Sequence, residues 1–470
     1  MREQAGTLYI FNESLNKSIA HQQAIPLNFA PMYQIGSMLF RTILAVISAI
    51  VIGENAFAQL IYPKEEIFSP YTIENEAAAK RRKQVIDQAE ALNDLPLGSD
   101  EETAYPLEIG LWGIAQFRVS TPKSDSGIER LIRNYDKLNE ATRRALLEAA
   151  YAMYPGKYVS EMKAIASRAT HPRNFAMAAL HLYRAQPTME NRQWILQTMR
   201  NLKTTDKQQV MLQTLGRHIS GGKPGPLPSF DSLFAHQQVH GFKVVYSFQR
   251  ANRDHPGLAI VQEPGGNFAR DSLGQLKVFV QLARSGSNLP YFLTNGSTPQ
   301  GLYAITGTAI SRNVFIGPTP NLQSAMMHEV NPPVFTHYMP IVLNATPERI
   351  YRSYFPQNWQ QWHGLMEAYD AGRIGRSEII AHGSTIDPEW FAGETYYPLS
   401  PTLGCLSGLE LWNKKTGRID RSDQLELVNT FIETPGTRGF LIVIDLDDKK
   451  APVTREEVEG IVMRFELARQ

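Results

Sequence analysis

Cys405 is the residue most capable of covalent chemistry in this chain, because it is the only cysteine among 470 residues. A single thiol forms no intramolecular disulfide, and a cysteine-based zinc site usually needs at least two cysteines. A thiol beside an imidazole is instead the minimal nucleophile–base pair. His382 precedes Cys405 by 23 residues, which is within reach of two paired strands joined by a loop. The alternative is that Cys405 is a small buried hydrophobic residue.

Both candidate residues stand next to a glycine, since Gly383 follows His382 and Gly404 precedes Cys405. A glycine at the nucleophile lets the backbone come close to a substrate carbonyl group. The backbone N–H groups of Gly404 and Cys405 could then stabilise a developing oxyanion. Residues 298–305 form a third relevant segment, in which Pro299 and Gly301 favour a turn that runs into a strand.

The elements that must position these residues are short β-strands in the C-terminal half. Five runs rich in β-forming residues are bounded by Gly, Asn, Asp or Pro, which is typical of strands. The predicted strands are residues 243–248, 258–262, 275–281, 301–306 and 439–445. A helical insertion is expected near residues 359–371. Residues 241–470 are therefore predicted to form a β-rich domain with helical inserts.

The N-terminal half has a different pattern, which predicts helices from about residue 74 to residue 217. Helices are expected near residues 157–169, 173–185, 189–201 and 205–217, separated by Pro- and Gly-containing breaks. Residues 59–220 are thus predicted to be an all-helical module with a structural or docking role. Residues 221–240, which begin with a Pro/Gly-rich stretch, are the predicted linker. The expected fold class is multidomain α plus β.

Residues 1–58 are interpreted as a signal region. Arg41 precedes an uncharged apolar run at residues 42–52, and Ala58 ends an Ala-Phe-Ala site. These are the three parts of a secretory signal, and the run is too short for a comfortable membrane span. Cleavage is predicted after Ala58, and translation is predicted to start at Met38. The alternative is a buried hydrophobic helix. Export to the periplasm or cell envelope would make an unpaired thiol a liability unless it has a function.

Composition narrows the classes of partner. Forty-seven basic and 46 acidic residues leave a net charge of +1, which gives no electrostatic reason to expect nucleic acid. No integral membrane span is expected after signal cleavage. His236 and His240 lack the glutamate of a metalloprotease helix, and His328 and His337 have no metal-site spacing. No metal or cofactor is therefore predicted.

The three segments resemble the motifs of the L,D-transpeptidase catalytic domains of bacterial cell-wall enzymes. That family has a Thr-Pro-x-Gly-x-aromatic-x-Ile turn, then His-Gly, then Ser/Thr-x-Gly-Cys followed by a hydrophobic residue. The matching positions here are residues 298–305, 382–383 and 402–406, in the same order along the chain. The resemblance covers about residues 240–450.

The resemblance implies a β-sandwich-like catalytic domain and a mechanism on peptidoglycan stem peptides. Cys405 would attack the carbonyl carbon of the L-centred diacid residue and form a thioester, with His382 as base and then acid. An amine from a second stem peptide would resolve the thioester into a cross-link. The residues expected to surround this pair, as oxyanion or substrate-binding groups, are Gly383, Ser384, Thr402 and Gly404.

The sequence also departs from that family, and two alternatives stay open beside a cysteine transpeptidase. Leu403 and Ser407 stand where the family often has His and Arg or Asn. The segment between Gly301 and His382 is also longer than in compact members, which indicates a divergent subgroup or an extended lid over the site. One alternative is an L,D-carboxypeptidase or peptidase that uses the same site. The other is an inactive envelope or peptidoglycan-binding scaffold.

Overall fold

Helices dominate the first part of the described chain and strands dominate the second. The computed structural model describes residues 61–222, 225–340 and 344–469. The predicted signal region and the translation start at Met38 lie outside them. Residues Pro63–Gln470 form one compact unit.

Within the described residues, nine helices precede the first strand. Residues near 157–217 are helical as the sequence predicts, at α5 to α8. The helices are α1 (Glu76–Ala91), α2 (Glu101–Phe117), α3 (Pro122–Arg133), α4 (Glu140–Met153), α5 (Val159–Arg168), α6 (Pro172–Ala185), α7 (Met189–Met199), α8 (Asp206–Ile219) and α9 (Phe230–His240).

Local side chains explain where these helices begin. Asn75, Asp100 and Thr121 each accept a hydrogen bond from the first turn of the helix that follows. Such caps satisfy backbone N–H groups that have no partner within the helix. The final helix of the series, α9, occupies part of the predicted linker at residues 221–240.

Ten strands follow in the described part of the chain. The predicted strands near residues 243, 258, 301 and 439 all form, whereas only the end of the predicted strand 275–281 does, as part of β3. The strands are β1 (Lys243–Arg250), β2 (Gly257–Gln262), β3 (Phe279–Leu282), β4 (Gly301–Ala309), β5 (Asn321–Ala325), β6 (Ala381–His382), β7 (Leu406–Gly408), β8 (Glu410–Trp412), β9 (Ile419–Ser422) and β10 (Gly439–Asp447). Six more helices lie among and after them: α10 (Pro332–Phe335), α11 (Pro347–Ser353), α12 (Gln357–Gln360), α13 (Met366–Ile374), α14 (Asp423–Glu433) and α15 (Arg455–Ala468).

Eight of these strands close into a barrel, in the order β1-β10-β4-β5-β6-β7-β3-β2. The expected β-sandwich is therefore not confirmed, whereas the mixed α and β content is. The barrel includes the parallel pairing of β1 with β10, in which Lys243 lies opposite Gly439. Strands β8 and β9 form a separate two-stranded sheet.

Two large hydrophobic cores and one small cluster around Phe391 and Tyr396 stabilise the described part of the unit. One lies among the helices α1 to α8, and the other packs α9, α15 and the central helices against the barrel. Leu289, Phe292 and Leu293, from the connection between β3 and β4, belong to the helical core. This connection therefore anchors a barrel segment among the helices. The predicted division at residues 220 and 240 stays a prediction. Among the described helices, none is long and apolar enough to cross a membrane.

Candidate active site

The strands β6 and β7 bring the two sequence segments of the predicted catalytic residues side by side. They pair in parallel, with Ala381 opposite Leu406 and His382 opposite Ser407. Residues directly opposite each other in a sheet point to one face, so His382 and Ser407 share one face of the barrel wall. Cys405 lies in the bend that directly precedes β7. The 23-residue interval is the connection between two neighbouring strands, as the sequence predicts.

The Cys405 thiol is partly exposed. Its sulfur donates a hydrogen bond to the Glu378 carbonyl oxygen, at 3.2 Å. Protein atoms surround the sulfur closely enough that burial raises the pKa of the thiol to about 11. The Ile380 N–H and the Arg376 guanidinium lower this pKa, whereas the Glu378 and Glu329 carboxylates raise it further. The resting form is therefore a protonated thiol.

The backbone of Glu378 is held in an unusual conformation beside this thiol. Its φ is 58°, in the left-handed region that non-glycine residues seldom adopt. The Glu329 carboxylate accepts a hydrogen bond from the Glu378 N–H at 2.7 Å and another from the Met326 N–H at 3.1 Å. Glu329 thus fixes the conformation that directs the Glu378 carbonyl group to the sulfur. Such strain is commonly found at functional sites.

His382 has a defined tautomer. Its Nδ1 lies 2.5 Å from the Gly383 carbonyl oxygen, and a carbonyl group only accepts hydrogen bonds, so Nδ1 carries the proton. The lone pair is therefore on Nε2. The side chain is 6% exposed, and burial lowers the pKa of the imidazole despite the opposing effect of the Gly383 carbonyl. His382 is accordingly neutral at neutral pH and able to accept a proton.

The Cys405 loop is held by two threonine hydroxyl groups. Thr402 Oγ1 donates to the Cys405 carbonyl oxygen at 2.8 Å, and Thr298 Oγ1 donates to the Gly404 carbonyl oxygen at 2.9 Å. Thr402 Oγ1 also accepts the Gly404 N–H at 3.0 Å. The Gly404 N–H is thus occupied, which is a correction to the expected pairing of the Gly404 and Cys405 N–H groups as oxyanion donors. Within the described chain, the Cys405 N–H has no such acceptor.

The space beside Gly404 is filled by the Arg376 guanidinium group. A methyl group at Gly404 would overlap Arg376 Nη2, and the φ of Gly404 is 125°. Arg376 donates to the carbonyl oxygens of Tyr291 (2.6 Å), Ser297 (3.0 Å) and Gly296 (2.8 Å). Gly404 is therefore required for a different reason from the one expected, because an arginine side chain rather than a substrate lies against it.

The space beside Gly383 is filled by the Glu410 carboxyl group. A methyl group at Gly383 would overlap this carboxyl group. Glu410 accepts hydrogen bonds from the Ser384 N–H and the Ser422 hydroxyl group, both at 2.8 Å. Burial raises the pKa of Glu410 to about 7, against the effect of these donors. Ser384 also accepts the Trp412 indole N–H at its carbonyl oxygen, so Ser384 orders the turn after His382.

The helical part of the chain contacts two loops, the one that carries Cys405 and the one whose carbonyl groups bind Arg376. Gln116 Nε2 in α2 donates to the Pro401 carbonyl oxygen at 2.8 Å, in a buried position just before Thr402. Asn295, next to the Gly296 carbonyl group that binds Arg376, donates to Glu148 of α4 at 3.1 Å. The loops that carry the site therefore rest on helices α2 and α4.

Sequence reasoning missed Arg376, Glu378, Glu410 and Gln116, because each is a single polar residue without a motif. The only signal in the sequence was the requirement for glycine at positions 383 and 404, which indicates that something lies close to each. Of the site residues predicted from the motifs, His382 ends β6 and is followed by Gly383 and Ser384, whereas Thr402, Gly404 and Cys405 lie just before β7.

Among the described residues, no three His, Cys, Asp or Glu side chains are grouped as metal ligands. Clefts of about 340 and 220 Å³ are lined mainly by residues of α11 and its neighbours, and neither is lined by Cys405 or His382. Comparison of the chain with protein-family models, curated proteins and solved structures yields no match in any of the three. The resemblance to L,D-transpeptidases thus rests on the motifs alone and stays a prediction.

Proposed function

We propose that this protein is an exported cysteine acyltransferase of the L,D-transpeptidase type, which acts on peptidoglycan stem peptides. The observation that carries the proposal is the pairing of β6 with β7, in which His382 lies opposite Ser407, two residues after Cys405. The partial exposure of the thiol, which a peptide substrate needs, adds support.

The protonation states favour general-base activation over a preformed ion pair. A thiol with a pKa of about 11 and an imidazole with a lowered pKa are both neutral at rest. In the proposed reaction His382 Nε2 takes the thiol proton as the sulfur attacks the carbonyl carbon of the peptide. The imidazolium then gives that proton to the departing amine of the terminal D-amino acid, and a Cys405 thioester remains.

The second half of the reaction reverses these proton movements. An amine of a second stem peptide loses its proton to His382 and attacks the thioester carbon. The new amide bond forms, and the sulfur leaves and regains the proton. Water in place of the amine gives hydrolysis, which is the carboxypeptidase alternative. The Cys405 N–H is the candidate donor to the oxyanion formed in each half.

Incubation of the purified protein with a disaccharide–tetrapeptide fragment, followed by mass spectrometry, tests this function. Cross-linked dimers indicate transfer, and shortened monomers indicate hydrolysis. We expect Cys405→Ser and His382→Asn to lose product formation by at least about 100-fold. Leu411→Ala, which alters an exposed residue of β8, is the matched control. If neither product forms, or if Cys405→Ser retains wild-type turnover, the proposal is wrong.

A catalytically inactive scaffold is the second candidate, and one observation favours it. The thiol is bonded to the Glu378 carbonyl oxygen and has a raised pKa, which are properties of an unreactive cysteine. A scaffold would bind the same fragment without changing it. Binding of the fragment by the Cys405→Ala variant with wild-type affinity, and no turnover by the wild type, is the result that this alternative predicts.

A further inference from the structure

We infer that Arg376 is a positioning residue that serves as counter-charge to the Cys405 thiolate. This inference rests on the proposed function only in that the thiolate is the attacking species. It concerns a residue outside the three sequence motifs, six positions before His382 in the segment that leads from α13 into β6.

The first argument is the set of atoms around the guanidinium group. All three hydrogen bonds from Arg376 go to backbone carbonyl oxygens, of Tyr291, Gly296 and Ser297. In the described part of the chain no carboxylate forms an ion pair with it. A cation without a counter-ion is costly to enclose, so an anion that forms nearby is stabilised.

The second argument is the position of this charge relative to the nucleophile. The guanidinium group lies against Gly404, the residue that precedes Cys405, and takes the space where a side chain would project. The acidic groups that act on Arg376 are Tyr303 and Cys405. The Tyr303 hydroxyl group is buried and donates to the Pro299 carbonyl oxygen at 2.6 Å, so it stays protonated. Cys405 is the remaining group able to become an anion beside it.

The third argument is that Arg376 is held beside the Cys405 loop and keeps its charge there. Arg376 binds carbonyl groups of residues 291–297 and lies against Gly404, and Thr298, the next residue, donates to the Gly404 carbonyl oxygen. The side chain of Arg376 is partly exposed, yet burial of its guanidinium group lowers its pKa to about 10. Arg376 therefore remains charged throughout the pH range in which the proposed enzyme would work.

The pH dependence of Cys405 alkylation by iodoacetamide tests the inference on the full-length protein. In Arg376→Met we expect the profile to move to higher pH and the rate below its midpoint to fall about tenfold. Arg376→Lys, which keeps the charge, should retain most of the wild-type profile. Arg373→Met, which changes an exposed arginine of the preceding helix α13, is the control. An unchanged profile in a folded Arg376→Met variant would overturn the inference.

A measurement on the unmodified protein covers the case in which the variants fail to fold. A cation beside the sulfur favours the anionic reagent iodoacetate over neutral iodoacetamide. We expect the ratio of the two alkylation rates at Cys405 to exceed the ratio for glutathione several-fold at low ionic strength. A ratio equal to or below that of glutathione would contradict the inference. Either result is independent of acyl transfer, so a failure of the proposed function is recognised separately.

Discussion

The two sides of the candidate site are built alike but carry opposite chemistry. On the nucleophile side a methyl group at Gly404 would meet the Arg376 guanidinium, and on the base side a methyl group at Gly383 would meet the Glu410 carboxyl group. Arg376 keeps its charge across the physiological range, because its pKa is about 10, whereas Glu410 titrates near neutrality. The comparison shows that each motif glycine is required because a charged side chain from outside the motif occupies the space beside it.

The backbone also differs between the two glycines. Gly404 has a φ of 125°, whereas Gly383 is not among the positive-φ residues of the described chain. A side chain at position 404 therefore meets the Arg376 guanidinium group, the Gly296 carbonyl oxygen and an unfavourable φ, whereas one at position 383 meets the Glu410 carboxyl group. The predictions below use this difference, from the largest expected effect to the smallest.

Gly404→Ala is expected to lower the free energy of unfolding by about 4 kcal/mol, because backbone strain adds to the overlap with Arg376. Urea denaturation measures the effect. In the Arg376→Ala background the same substitution should cost about half as much, since the backbone strain and the overlap with the Gly296 carbonyl oxygen remain. Leu403→Ala, a neighbouring exposed residue, is the control and should cost less than about 0.5 kcal/mol. Equal costs in both backgrounds would show that Arg376 does not contact this position.

Glu410 is expected to make stability depend on pH. Its folded pKa of about 7 is above the ordinary value of 4.5, so folding favours the protonated form. This contribution is complete below pH 4.5 and is lost as the pH rises through 7, by up to about 3 kcal/mol. Glu410→Gln should remove that part of the slope between pH 4.5 and 7.5. Parallel curves for the variant and the wild type, from denaturation at several pH values, would rule out this role.

Gly383→Ala is expected to cost about 2 kcal/mol, because the Glu410 carboxyl group must move away from the Ser384 N–H. In the Glu410→Ala background the substitution should be nearly neutral, since no backbone strain remains. A double-mutant cycle in urea measures the coupling. A full cost in the Glu410→Ala background would mean that the backbone, and not Glu410, requires glycine here.

Gln116→Ala is expected to cost about 1 to 2 kcal/mol, since it leaves the buried Pro401 carbonyl group without its donor. It should also slow alkylation of Cys405 or alter its pH profile, because Pro401 begins the nucleophile loop. Gln197→Ala, an exposed glutamine of α7, is the control. Stability equal to that control would indicate that α2 does not support the loop.

The sequence predicted what depends on local pattern and missed what depends on distant contacts. The helical spacing near residues 157–217 and the β-forming run at residues 439–445 lead directly to α5 to α8 and to β10. The closure of the barrel was not predictable, because β1 and β10 pair in parallel across almost 200 residues of chain. Neither strand has a sequence feature that identifies the strand with which it pairs.

The site was predictable to the same extent. His382 and Cys405 are rare residue types beside glycine at strand ends, and that combination indicated neighbouring strands. Arg376 and Glu410 are ordinary charged residues in the sequence, and only the packed structure shows that they lie behind the two glycines. The expected oxyanion role of the Gly404 N–H failed for a related reason, because the Thr402 side chain folds back to accept it.

Covalent trapping of Cys405 tests the central claim most directly. A carbapenem, or another acylating analogue of a stem-peptide carbonyl group, is incubated with the wild type and with Cys405→Ala and His382→Asn. Intact-mass and peptide-mapping spectrometry then locate any adduct. The account predicts one adduct on Cys405 in the wild type, none in Cys405→Ala and much slower formation in His382→Asn. The absence of an adduct from wild-type protein whose Cys405 is alkylated by iodoacetamide would contradict it.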